Sequence, residues 1–263
     1  MKTGGWALIT GASSGIGYEY ARVLAEKGYP LLMVSNEEIR LQEKAVLLKQ
    51  HYRIDVIPLY MDLAEAEAPC RLHDFCMQEE LQIDILINNA GIFYFGEVLQ
   101  QSAAHIAKML TLHVQTTTLL CRMFGEDMKR RGQGYILNMS SLSAWTAYPG
   151  IALYAATKSY LKNFSRAFRA EMREYGVGVT TLCPGAIATD LYHLDKKLQR
   201  LAVRLGVMMK PERLARRGIK AMFRRRARVV PGWINYLFLP LARVLPARWI
   251  RTWMRMSGLL PLQ

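Results

Sequence analysis

The stretch Trp6-Ala7-Leu8-Ile9-Thr10-Gly11-Ala12-Ser13-Ser14-Gly15-Ile16-Gly17 decides the fold. Its first four residues are an apolar run that reads as a short buried strand. A helical pattern follows the glycines, with Tyr20, Val23 and Leu24 on one side and Gly28 as the stop. Strand, glycine turn and helix in this order form a dinucleotide-binding setting. Gly11 allows the tight turn, Gly15 lets backbone approach a pyrophosphate, and Gly17 lets helix and strand pack closely. The helix N-terminus then faces the phosphate charge. The spacing is G-x-x-x-G-x-G rather than G-x-G-x-x-G, and a turn that serves packing alone is the competing reading.

Strand-like apolar runs recur at Trp6–Thr10, Leu31–Ser35, Val56–Tyr60, Ile83–Asn88, Tyr135–Met139 and Val177–Cys183. Between them Glu37–His51, Ala64–Glu80, Ser102–Arg131 and Tyr154–Tyr175 are long enough for helices. Such alternation implies parallel strands joined by right-handed helical crossovers. The expected fold is α/β, a single doubly wound, Rossmann-like parallel sheet of about seven strands, the seventh being the short Arg228-Val229-Val230. The 263 residues suit one such domain, and no repeat or linker marks a second.

Cys70, Cys76, Cys121 and Cys183 lack Cys-x-x-Cys spacing and His-rich partners, so they read as reduced thiols rather than a disulfide frame or a metal site. Met1–Gly5 run straight into the first strand, which leaves no room for a secretory signal and makes the cytoplasm the expected compartment.

A second constellation lies further along. Tyr154 and Lys158 are four residues apart on a predicted helix and therefore share a face, and Ser141 precedes Tyr154 by thirteen residues. A cation beside a phenol favours the phenolate, and a phenol so placed can serve as general acid or base on a carbonyl/alcohol pair. Alone, Tyr-x-x-x-Lys is a chance pair on many helices; joined to the glycine loop it becomes specific.

Thr10–Gly17, Asn88-Asn89-Ala90-Gly91, Ser141, Tyr154-x-x-x-Lys158 and Pro184-Gly185 resemble, in order and spacing, the short-chain dehydrogenase/reductase family over roughly residues 5–190. The resemblance implies reversible hydride transfer between a nicotinamide cofactor and a carbonyl or secondary alcohol. It implies that Ser141 holds the substrate oxygen, that Tyr154 donates the proton, and that Lys158 supports Tyr154 and binds the nicotinamide ribose. Ser140 is the neighbouring alternative to Ser141, although the spacing to Tyr154 favours Ser141.

Around the cofactor it implies contacts from Gly11, Ser13, Ser14, Gly15, Ile16 and Gly17, from Ser35 and Asn36, and from the backbone of Asn89, Ala90 and Gly91. Asn88 would hold neighbouring strands together. Asp62 resembles the aspartate that meets the adenine, and as an N-cap before Leu63-Ala64-Glu65 it has an equally good structural reading. Pro184, Gly185, Ile187 and Thr189 resemble the loop that meets the nicotinamide carboxamide, with a plain Pro-Gly turn as the alternative.

Two positions depart from the family pattern. Where many relatives carry an Asn that supports a water chain from the lysine, this chain carries His113; the choice lies between a substitute relay and a packed helical His. At the end of the second strand Ser35-Asn36-Glu37-Glu38 lacks both the acidic signature of NAD users and the basic signature of NADP users. The small Ser35/Asn36 pair admits a 2′-phosphate and leans toward NADP, whereas Glu37 turned toward the ribose would favour NAD.

Charge divides the chain. Residues 191–263 hold 17 Lys/Arg and two acids, net +15, which leaves the first 190 at net −1. Residues 1–190 read as the cofactor-binding and catalytic core, and 191–263 as a basic, aromatic, helical lid region of the same domain. The 14 uncharged residues between Arg228 and Arg243 are broken by Pro231, Gly232 and Pro240 and are too short to span a bilayer as a helix. The tail reads as a lid over a hydrophobic ketone or ketoacyl-type substrate, as a peripheral membrane contact through residues 224–255, or as both. No nucleic-acid-binding motif accompanies the basic residues, so no nucleic-acid partner is expected. Dimers or tetramers through Ser102–Arg131 and Tyr154–Tyr175 are expected by analogy. The rival from another class is a non-catalytic nucleotide-binding or scaffold protein that keeps the fold.

Overall fold

A computed structural model describes residues 4–146, 148–187 and 208–232, together with Val203, Trp249 and Thr252. The strands are β1 (Trp6–Thr10), β2 (Leu31–Ser35), β3 (Val56–Tyr60), β4 (Ile83–Asn88), β5 (Gly134–Met139), β6 (Val177–Leu182) and β7 (Arg228–Val229). All pair in parallel, in the order β3-β2-β1-β4-β5-β6-β7. The chain leaves β1 toward β2 and β3, then crosses back to β4. The strand ends therefore diverge between β1 and β4, where doubly wound sheets open a crevice.

Both sheet faces are covered, which is why the strands are apolar without alternation. Ala7, Ile9, Leu31 and Met33 face one core with α1 (Gly15–Ala25), α2 (Glu38–Tyr52) and α7 (Pro211–Phe223). Leu8, Leu32, Val34 and Leu86 face the other, with α3 (Ala68–Gln78) and α5 (Thr117–Arg131). Each fully buried aliphatic side chain contributes about 1.5–3 kcal/mol. Although α7 and β7 come from the basic region, α7 packs on α1 and β7 extends the sheet beside β6. Part of residues 191–263 therefore completes the core.

Three segments differ from the sequence reading. The helix expected from Ala64 starts at Ala68, with Pro69 in the first turn, where proline is favoured. Asp62 accordingly caps no helix; its Oδ1 accepts the Ala64 N–H at 3.0 Å in a local turn. The single helix expected over Ser102–Arg131 is α4 (Ala103–Leu110), a π-helical turn (Thr111–Thr116) and α5 in succession. Finally, α6 spans Ala152–Arg173, starting two residues before Tyr154.

Arg224 to Arg228 are exposed, but most of the aromatic tail, including Trp233, Tyr236, Phe238 and Trp253, and most of Lys196–Arg204 lie outside the described residues. No helix among the described residues is long and apolar enough to cross a membrane.

A polar seam runs through the second core. Asn88 Nδ2 donates to Asn138 Oδ1 at 2.8 Å, and Asn138 Nδ2 donates to Ser165 Oγ at 2.9 Å, which joins β4, β5 and α6. Asn138 is fully buried. Asn138→Ala should cost about 2–3 kcal/mol in urea unfolding, because two buried polar groups lose their partner; Ser165→Ala should cost less.

Candidate active site

The glycine turn is built by close approach. Gly11 and Gly15 adopt φ of +66° and +54°, a region that disfavours side chains, and a Cβ on Gly17 would run into the Gly11 carbonyl oxygen. The turn is braced from β4. Asn89 Nδ2 donates to the Thr10 and Gly11 carbonyls at 3.0 and 3.3 Å, and Thr10 Oγ1 accepts the Asn89 and Ala90 N–H groups at 3.0 Å each. Ser14, at the N-cap of α1, is extended and makes no side-chain cap bond. The first-turn amides thus face the cleft without a side-chain acceptor from Ser14, which suits a phosphate.

The cleft has a volume of ≈ 490 Å³ and is lined by the glycine turn, Ser35, Asn36, Asp62, Asn89–Gly91, Ser141, Tyr154, Lys158, Pro184, Gly185 and Ile187. The structure therefore brings together the residues named from sequence in these loops; Gly17 lies behind the turn, His113 lies deeper, and Thr189 lies outside the described residues. Beyond β2, Ser35 Oγ donates to Ser13 Oγ at 2.9 Å and Ser13 Oγ donates to Glu37 Oε2 at 2.6 Å. Arg40 reaches the same Glu37 carboxylate at 3.3 Å. Asp62 meets Lys108 through Oδ2 at 3.1 Å. Partial burial works against its charge, but the Ala64 N–H and Lys108 outweigh that and hold the carboxyl below its ordinary value. Lys108 is absent from the sequence reading because its partner Asp62 lies 46 residues away in the chain; Arg40, an i,i+3 partner of Glu37, is absent from it as well.

At the far end, Ser141 heads a short 3₁₀ turn (Leu142–Trp145). Its Oγ accepts from the Ser143 N–H at 3.1 Å and the Ser143 hydroxyl at 3.0 Å. With its acceptor positions filled, its own proton is directed outward as a donor. Ser140 Oγ instead donates to the Lys158 carbonyl at 2.7 Å.

Lys158 is 5% exposed, donates from Nζ to the Met139 carbonyl at 3.0 Å, and places that ammonium 5.5 Å from the centre of the Tyr154 ring. Burial pushes its pKa down to about 8. Tyr154 is flanked edge-on by Phe93 and His113 at 5.0 and 5.7 Å. His113 is fully buried, and both its nitrogens have protein partners: Nε2 accepts the Ile92 N–H at 3.0 Å and Nδ1 meets Thr157 Oγ1 at 2.9 Å. Burial, with the Lys158 charge behind it, holds its pKa well below the usual histidine range.

The loop after β6 is anchored by Leu142 N–H donating to the Pro184 carbonyl at 2.7 Å and by a bridge between Ile187 and Met209. An elongated dinucleotide fits this arrangement: an anion site at the α1 N-terminus, hydroxyl and amide groups along β2 and β4, and a lysine at the reacting end.

Comparison with known proteins agrees with this geometry. The sequence pattern described as "short chain dehydrogenase" matches residues 5–199. The very-long-chain 3-oxoacyl-CoA reductase-A of Danio rerio is 28% identical over 74% of this chain and 62% of its own length. The chain thus spans less than two thirds of that relative. A Sphingobium yanoikuyae short-chain dehydrogenase in complex with NADPH is 27% identical, with a TM-score of 0.78 over 97% of this chain and 94% of that one. A bulky-bulky ketone specific alcohol dehydrogenase from Comamonas testosteroni is 25% identical, with a TM-score of 0.77 over 97% and 93%.

Lys158 is cationic below about pH 8 and neutral above it. Affinity for NADPH should therefore fall as pH rises through that value, and calorimetric titration of Lys158→Met should show weaker binding without this step.

Proposed function

The chain belongs to the short-chain dehydrogenase family, and on that footing we propose that it is an NAD(P)-dependent oxidoreductase that interconverts a hydrophobic ketone or 3-oxoacyl compound and its secondary alcohol. One observation carries the reading: a buried Lys158 ammonium, the Tyr154 ring and the Ser141 hydroxyl converge on one cleft that ends in the glycine turn. The named ketone and 3-oxoacyl relatives support the substrate class, as do the apolar Ile92, Phe93, Met139 and Ile187 along the cleft.

The cofactor, when bound, supplies or takes the hydride at nicotinamide C4. Ser141 donates a hydrogen bond to the substrate oxygen, and Tyr154 delivers the proton to that oxygen during reduction. The phenolate left behind is stabilised by Lys158. Ser143 keeps the Ser141 proton aimed into the cleft.

NADP(H) is the proposed preference. Small Ser35 and Asn36 leave room at the ribose, Arg40 stands at the same wall, and a related structure is described with NADPH. Glu37 opposes the preference with its charge. Self-association through α5 and α6 belongs to the same reading, supported by the partly exposed ladder of Tyr160, Phe164 and Phe168, stacked at 5.7 and 5.5 Å.

Tyr154→Phe should abolish NADPH-dependent reduction of a panel of 3-oxo esters and bulky ketones while leaving NADPH affinity within about twofold; retained turnover would remove Tyr154 as proton donor. Absence of wild-type turnover across that panel, with the cofactor bound, favours a non-catalytic member of the family. Separately, Glu37→Gln should favour NADPH over NADH by about fivefold in relative affinity, about 1 kcal/mol, because a carboxylate leaves the 2′-phosphate position.

A further inference from the structure

We infer that His113 is a positioning residue, a neutral imidazole that ties the cofactor loop after β4 to the catalytic helix α6 and carries no proton between them. The inference rests on the reading of the cleft as a hydride-transfer site, and its tests are chosen to separate the two.

The ring joins the loop after β4 to α6. Nε2 accepts the Ile92 N–H at 3.0 Å, next to the Asn89-Ala90-Gly91 stretch that lines the cleft. An acceptor nitrogen carries no proton, so the ring proton of the neutral form is on Nδ1. Nδ1–H then donates to Thr157 Oγ1 at 2.9 Å, and Thr157 Oγ1 donates to the Tyr154 carbonyl at 2.8 Å. One side chain thus connects Ile92 to the backbone of the residue assigned as proton donor. The His113 and Tyr154 rings also meet edge-on, with centroids 5.7 Å apart, which limits the tilt of the phenol.

Local structure explains how the ring arrives there. His113 sits within the π-helical turn Thr111–Thr116, where the wider turn changes the direction of the side chain relative to α4 and α5. Gly91 makes room for it: a Cβ there would stand 2.9 Å from His113 Nε2 and 3.7 Å from Lys158 Nζ. The charged and titratable groups that face the ring are Lys158 and Tyr154, both from α6. With both nitrogens engaged and the residue fully buried, a water chain has no ring atom to use.

The tie makes three measurable claims. In ¹⁵N NMR of histidine-labelled protein, one ring should remain the neutral Nδ1–H form from about pH 6 to 8, with and without NADPH. This measurement needs no variant to fold; with the His113 ring assigned among the five histidines, titration of that ring in that range, or its Nε2–H form, overturns the proposal. Thr157→Val, which cuts only the far end, should lower kcat for a 3-oxo ester about tenfold with KM nearly unchanged, and Thr157→Ser should restore it. His113→Ala should lower kcat at least as far and weaken NADPH binding several-fold, since Ile92 is released as well.

The double variant should then be no slower than His113→Ala alone. Independent, multiplying effects on kcat would overturn the tie. Should the wild-type protein turn over no ketone at all, the hydride-transfer reading fails, whereas the tautomer and the NADPH affinities still decide whether His113 is the tie.

Discussion

Lys158 carries an ammonium into a buried place, where an uncompensated charge costs several kcal/mol. Its Nζ reaches the Met139 carbonyl, at the end of β5, at 3.0 Å, and its own carbonyl accepts the Ser140 hydroxyl at 2.7 Å. These two bonds fix α6 against the strand that delivers Ser141. The neighbours follow from that placement. Position 91 is close enough to His113 that a side chain there would crowd its ring, and His113 stays uncharged because burial disfavours its cation and the Lys158 charge adds repulsion. The same burial that depresses the lysine pKa strengthens its effect on a phenolate at the cleft wall.

The other end of the cleft follows a different rule. There the constraint is closeness of backbone to backbone rather than a buried charge. Gly17 packs against the Gly11 carbonyl, and Asn89 holds that carbonyl and its neighbour from across the sheet. A phosphate site made from amides has to be rigid before the ligand arrives, because ordering a loop at binding would subtract from affinity. The Thr10 and Asn89 bonds supply that rigidity from β1 and β4, the two strands that diverge at the crevice.

Legibility in the sequence divides along the same line. The glycine loop, the Tyr154/Lys158 pair and Ser141 are legible because each depends on local spacing: a turn after a strand, one helical repeat, one strand end. The inner strands β1, β2, β4, β5 and β6 are legible because burial on both faces leaves nearly continuous apolar runs. The helix starts are less so. The sequence offers Asp62 as a cap before Leu63, whereas the helix starts at Ala68 with Pro69 in its first turn. The π turn at Thr111–Thr116 has no composition signal, since its residues would serve an ordinary helix.

The sequence by itself determined the fold class and the local spacing of the glycine turn, Ser141 and the Tyr154/Lys158 pair, because short-range chemistry dictates them. Tertiary structure alone decided which groups are tied to which. Ser13 reaches Glu37, Lys108 meets Asp62, Asn89 braces a turn 78 residues earlier in the chain, and His113 has both nitrogens occupied by protein. Those contacts arise where parallel crossovers return distant loops to the same edge of the sheet. The physical reason is that hydrogen-bond partners 20 to 80 residues apart leave no periodic trace in a chain, whereas turns, caps and helical faces do.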